Sequence, residues 1–133
     1  MARQLAQQAP LACLNYQKIK EFISTSSESV KICATLQAFR WRLTKTRRKK
    51  TLRQVIMTYM HYDILDCSEK EKQLKIIDRL LSIGDRRVLE YTMTFINALG
   101  NECLGRSYLL QKSNLVEKLV KILKEEHGDT HLR

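Results

Sequence analysis

Proline and glycine are scarce in this 133-residue sequence, with one Pro and four Gly. These residues interrupt helices, so their scarcity beside abundant Leu, Lys, Gln, Glu, Ile and Arg points to an all-helical domain. No run of roughly 18 apolar residues occurs, which excludes a membrane-spanning helix. The N-terminal stretch "MARQLAQQAPLACL" lacks both an uninterrupted apolar segment and a small-residue cleavage pattern, so no secretory signal is expected. Cys13, Cys33, Cys67 and Cys103 form no CxxC pair, being 20, 34 and 36 residues apart. That spacing speaks against a metal or disulfide framework and for reduced, half-buried thiols in a cytosolic helical protein. No Gly-rich loop of the GxGxxG or GxxxxGKS kind is present, which argues against nucleotide binding.

Catalytic groups are equally thin. The histidines are His61, His127 and His131, and a hydrolytic site needs a nucleophile, a base and an orienting group. His61, in "YMHYDIL", has the chemistry of a general base, but a partly buried histidine at a helix interface is the plainer reading. His127 and His131 are four apart, with Gly128 and Asp129 predicting a turn between them and no further zinc ligands nearby. No catalytic residue, metal site or cofactor is expected.

Acidic residues are missing from residues 40–53, where Arg40, Arg42, Lys45, Arg47, Arg48, Lys49, Lys50 and Arg53 concentrate the positive charge. One reading is a solvated helix end, with Phe39 and Leu43 buried and some cations favoured by a helix C-terminus. Others are a patch for an acidic protein or tubulin-like surface, an anionic lipid surface, or a helical nucleic-acid-binding module in which bases stack on Trp41. "KTRRKK" also fits the loose nuclear-localisation pattern. Trp41 is equally compatible with the core.

What is abundant is helical periodicity. Leu11, Leu14, Ile19, Phe22 and Ile23 predict a first helix, interrupted by "STSS". Thr25 with Glu28 reads as a capping box for a second helix, whose stripe is Ile32, Leu36, Phe39 and Leu43. Leu52, Val55, Ile56, Tyr59, Met60 and Ile64 mark a third, ending near "DILDC". Ser68 with Glu71 reads as a box for a fourth, running to Gly84.

Leu74, Ile77, Leu80 and Leu81 recur 42 residues later as Val116, Leu119, Ile122 and Leu123. Between them lies a segment apolar on most of its circumference, including Val88, Phe95, Ile96 and Leu99, which must be covered on several sides. Gly100 and Gly105 read as breaks, Leu109 and Leu110 as a short apolar bridge, and Asn114 with Glu117 as the last cap. "EEHGDTHLR" reads as leaving the last helix through a turn. Val116, Leu119, Val120 and Leu123 show no polar adaptation to a terminal position, so a further repeat or a partner is expected to cover them.

A repeat near 42 residues resembles armadillo or HEAT arrays. "TFINALGNECLGRSYLLQKSNLVEKLVKIL" resembles the second and third helices of an armadillo unit, and the likeness extends over residues 69–126. Together with "LQAFRWRLTKTRRKKTLRQVIMTYMHYDILDC", it is similar to a fragment of the LisH-domain-containing armadillo-repeat family of ciliary basal bodies and centrioles. The LisH motif and preceding coiled-coil heptads are absent from this sequence. The resemblance implies an α-solenoid fragment: a helical segment, 1–67, followed by an armadillo-like repeat region, 68–133. The repeats would stack through Leu74, Ile77, Leu80, Leu81, Phe95, Leu99, Val116, Leu119, Ile122 and Leu123. It also implies a non-enzymatic protein-interaction scaffold with centrosomal or ciliary protein partners, in the cytoplasm and cytoskeleton, acting in cilium assembly or stability and Hedgehog signalling. Lys118, Lys121 and Lys124 on the last helix, without Trp, do not support an importin-like cargo groove but fit an acidic partner.

Overall fold

Apolar residues at helical spacing, broken by short polar linkers, order the chain into successive helices. The computed structural model describes residues 15–68 and 75–132, with side chains described as far as 125. The helices are α1 (Tyr16–Thr25), α2 (Ser29–Thr44), α3 (Lys49–Tyr62), α4 (Ile76–Ser82), α5 (Arg86–Gly100), α6 (Cys103–Leu110) and α7 (Leu115–Leu132). The described residues contain no strand, and none of their helices is long and apolar enough to cross a membrane.

The centre of the fold is α5 against α2. The predicted stripe Ile32, Leu36, Phe39 and Leu43 is buried, as are Val88, Phe95, Ile96 and Leu99 facing it. α4 and α6 cover α5 on further sides, while Arg86, Glu90, Thr94 and Asn97 keep one polar stripe in solvent, so α5 is amphipathic and less apolar around its circumference than the sequence suggests. Aromatic rings lock this centre to α3: Phe39 lies 5.9 Å from Phe95, and Tyr59 5.2 Å from Phe39, centroid to centroid. The buried Tyr59 hydroxyl donates to the Phe39 carbonyl at 3.0 Å, which satisfies an otherwise costly polar atom.

Local capping differs from the sequence expectation. Asn15 caps α1 by accepting the Lys18 N–H at 3.1 Å, whereas Leu11 and Leu14 lie outside the described residues. Thr25 does not open α2. It ends α1, and its hydroxyl donates backwards to the Glu21 carbonyl at 2.8 Å, a bond open to any helical Thr. Ser26 accepts the Glu28 N–H instead, at 3.0 Å. In place of a serine box at the described start of α4, Asp66 accepts the Ile76 N–H at 3.0 Å, and Ser68 bonds Asp63 at 2.8 Å. Glu71 and Leu74 lie outside the described residues. Asp85, just after Gly84 at φ +84°, caps α5 through the Arg87 and Val88 N–H groups.

The segment after α3 is a polar junction inside the core. Asp63 and Asp66 both have positive φ, 49° and 59°. Tyr108 of α6 donates to Asp63 at 2.7 Å and accepts the Leu65 N–H at 2.9 Å, while Lys20 of α1 pairs with buried Asp66 at 2.9 Å. Burial drives the Tyr108 hydroxyl well above its ordinary range, so it stays a donor to Asp63. Arg79 of α4 donates to the carbonyls of Ile23 and Ser26, which the end of α1 leaves without helical partners. One contiguous core results, drawing residues from Tyr16 to Leu115.

Two glycine expectations are overturned. Gly105 lies within α6 and is buried, because that helix presses on the end of α5: a Cβ there would sit 1.9 Å from the Leu99 carbonyl oxygen. The supposed bridge is the end of α6, with Leu109 buried and Leu110 exposed. Gly128 makes no turn, since α7 runs unbroken to Leu132. A single interior glycine costs a helix only about 1 kcal/mol, which neighbouring helical residues offset.

Candidate interaction surface

The basic run is divided among three elements. α2 turns its apolar stripe inward, so Arg40 and Arg42 lie on its flanks and Trp41 outward, 42% exposed. Trp41 is therefore a surface residue, and Lys45 lies over its ring at 4.3 Å from the centroid, in cation–π contact. Arg42 is half-buried beside Tyr16 and Tyr59, where its charge partly offsets the rise that burial imposes on both phenols. It belongs to the aromatic core rather than to a docking face. Lys45, Arg47, Arg48, Lys49, Lys50 and Arg53 are all exposed, and none forms an ion pair with another described residue.

The helix dipole explains only part of this arrangement. Arg42 and Lys45 stand at the C-terminal end of α2, where a cation is favoured. Lys49 and Lys50 stand in the first turn of α3, behind Arg48 as its N-cap residue, with no acidic residue in that turn and no side-chain cap. There the dipole opposes positive charge. Arg48, Lys49 and Lys50 therefore stand against the α3 dipole.

Beside these cations, α3 and α6 enclose a groove of about 260 Å³. Leu52, Ile56 and Leu104 form its apolar walls, and Lys49, Arg53 and Glu102 its polar rim. Sequence reasoning found the cations but missed the groove. Leu104 approaches α3 only because Gly105 lets α6 fold down on α5.

A second surface lies on α7. Leu115 is buried, and Leu119 and Ile122 are partly so. Val116, Val120 and Leu123 are 56%, 44% and 48% exposed, so two of the residues expected to stack, Val116 and Leu123, are only about half covered by the described residues. Leu123 and Ile122 face Leu89 and Met93 of α5 across an open groove of about 410 Å³. By contrast Ile77, Leu80, Phe95 and Leu99 are fully enclosed, and Leu81 is half-buried.

The remaining reactive side chains are ordinary. Cys33 and Cys67 are buried, and burial pushes the Cys67 thiol up to about 12, far from a reactive thiolate. Cys103 is exposed, against the expectation of half-buried thiols, because it opens α6 at the groove rim. His61 is exposed too, in the last turn of α3, with its ring edge-on to Tyr62 at 4.9 Å. No cluster of potential metal ligands occurs among the described residues.

The described helices make an all-α stack compatible with an armadillo-type helical repeat, and the similarity to an armadillo-repeat protein agrees with it. Over most of its length it is similar to one segment of the LisH domain-containing protein ARMC9 of several vertebrates. Identity is 33% over 123 residues with the Bos taurus protein, covering 92% of this chain and 18% of that protein. It is 31% over 128 residues in Xenopus tropicalis, covering 96% and 16%, and 34% over 119 residues in Homo sapiens, covering 90% and 14%. The chain thus spans less than a fifth of the length of these relatives. No family model matches it, and no solved structure does.

Proposed function

We propose that this chain works by binding other proteins, as a non-enzymatic armadillo-type scaffold unit at the ciliary basal body or centriole, supporting cilium assembly or stability and Hedgehog signalling. The similarity over 92% of the chain to a segment of a LisH domain-containing protein carries this reading. Two surfaces support it: the apolar face of α7, left partly open by the described fold, and the exposed cations around the α2–α3 linker, which form no ion pair among the described residues. A stacked helical unit recognises partners by shape and surface chemistry and needs no reactive constellation. The ciliary location extends the family resemblance to this chain.

Imaging the tagged full chain in ciliated cells against a basal-body marker tests the location. Enrichment at the basal body is expected. A diffuse or nuclear distribution contradicts it.

A further inference from the structure

We propose that the groove between α3 and α6, with the cations beside it, docks an acidic peptide that carries an apolar side chain among its carboxylates. This deepens the protein-binding reading and rests on it. Three observations point to such a ligand. Lys45, Arg47, Arg48, Lys49, Lys50 and Arg53 are exposed and without ion pairs among the described residues, and several stand where the α3 dipole makes them unfavourable. Carboxylates placed there relieve both conditions at once. Directly beside Lys49 and Arg53, the apolar walls Leu52, Ile56 and Leu104 enclose a space of about 260 Å³, suited to one aliphatic side chain. Glu102 shares the rim with those two cations, so the site is not uniformly positive.

The last feature separates this ligand from other polyanions. A nucleic-acid backbone presents phosphate after phosphate, and Glu102 repels it at the groove rim beside Lys49 and Arg53. Single strands also stack on successive aromatic platforms, whereas the one tryptophan here already carries Lys45 on its ring. A bilayer surface favours a broad cationic face and cannot enter the groove. An acidic peptide adapts residue by residue: its apolar side chain fills the groove, its carboxylates meet the cations, and a neutral position passes Glu102.

Fluorescence anisotropy with the full chain tests this, using a fluorescein-labelled peptide of glutamates around a central leucine. Its serine-centred counterpart, an oligothymidine and phosphatidylserine vesicles are compared with it. The leucine peptide is expected to bind with an affinity that falls as salt rises, and replacing its leucine by serine to weaken binding roughly tenfold. Changing Arg47→Ser, Arg48→Ser, Lys49→Ser and Lys50→Ser together should abolish binding. Cys103→Phe, which fills the groove without altering charge, should remove the preference for leucine over serine. Circular dichroism establishes that both variants remain helical. Equal binding of the two peptides, or no binding of either, overturns this site and leaves the scaffold reading to the localisation experiment. Tighter binding of oligothymidine overturns both, and tighter binding of the vesicles overturns the peptide site.

Discussion

α4 and α7 carry the same apolar pattern 42 residues apart, and the fold treats them differently. Ile77 and Leu80 of α4 are completely enclosed, between α1 and α5. Their counterparts on α7, Leu119 and Ile122, are only partly covered, and Leu123 is about half exposed. Periodicity decides which residues share a face, whereas burial depends on what stands opposite that face. The two copies are nonetheless joined. Asp78 of α4 pairs with Lys118 of α7 and, at 3.4 Å, with Lys112 just before it. Burial alone would raise the Asp78 carboxyl, but hydrogen bonding and charge from Lys118 and Lys112 outweigh it and hold the group below the usual carboxylate range.

The largest expected contrast is between truncations on the two copies. Leu80→Ala removes a fully buried side chain and should cost ~2–5 kcal/mol, measured by urea denaturation. Leu123→Ala, its repeat partner's neighbour, should cost less than ~1 kcal/mol because that side chain is already half in water. Equal costs would mean that α7 is covered as fully as α4.

Gly105→Ala sharpens the comparison from α6, which leads into α7. The new methyl group would collide with the Leu99 carbonyl, so α6 must shift, and a loss of ~1–3 kcal/mol is expected. Hydrogen exchange should show faster opening in α6 and α7 than in α2.

Smaller again is the effect of cutting the link between the copies. A depressed folded-state pKa contributes stability above the unfolded value near ~3.9 that is lost as pH falls through the folded value. Asp78→Asn should therefore cost ~0.5–1 kcal/mol at neutral pH, after allowance for solvent screening, and flatten the loss of stability in acid. Denaturation midpoints between pH 2 and 7 check this. Val116→Ser should change the midpoint least, within ~0.5 kcal/mol, because the residue touches mainly water.

Much of this fold was legible from apolar spacing. The α2 stripe, the buried side of α5 and the approximate extents of α2, α3 and α5 follow from residues such as Leu36, Phe39 and Phe95, whereas α6 read as a break and a bridge. Features set by tertiary approach were not. Thr25 and Glu28 have the capping-box residues, but the Thr25 hydroxyl finds its own helix's carbonyl first. Gly105 looks like a break because sequence cannot show the Leu99 carbonyl that makes glycine necessary. Asp85 could have been found, as an acidic residue between a glycine and an apolar run. For the interaction surface, the cations were legible as a run without acids. Their partition was not, since Arg42 turns toward Tyr16 and Tyr59 while Lys45, Arg47, Arg48, Lys49, Lys50 and Arg53 face solvent. Nor was the groove, whose walls come from residues about 50 positions apart.

The most direct test of the protein-binding account is proximity labelling in ciliated cells with the unaltered chain beside two folded variants. One removes the cations of residues 47–50, and the other changes Val116, Val120 and Leu123 to Ser. The account predicts centriolar and basal-body neighbours for the unaltered chain, with each variant losing a distinct subset. Identical neighbours for all three would contradict it, because neither exposed surface would then be engaged in binding.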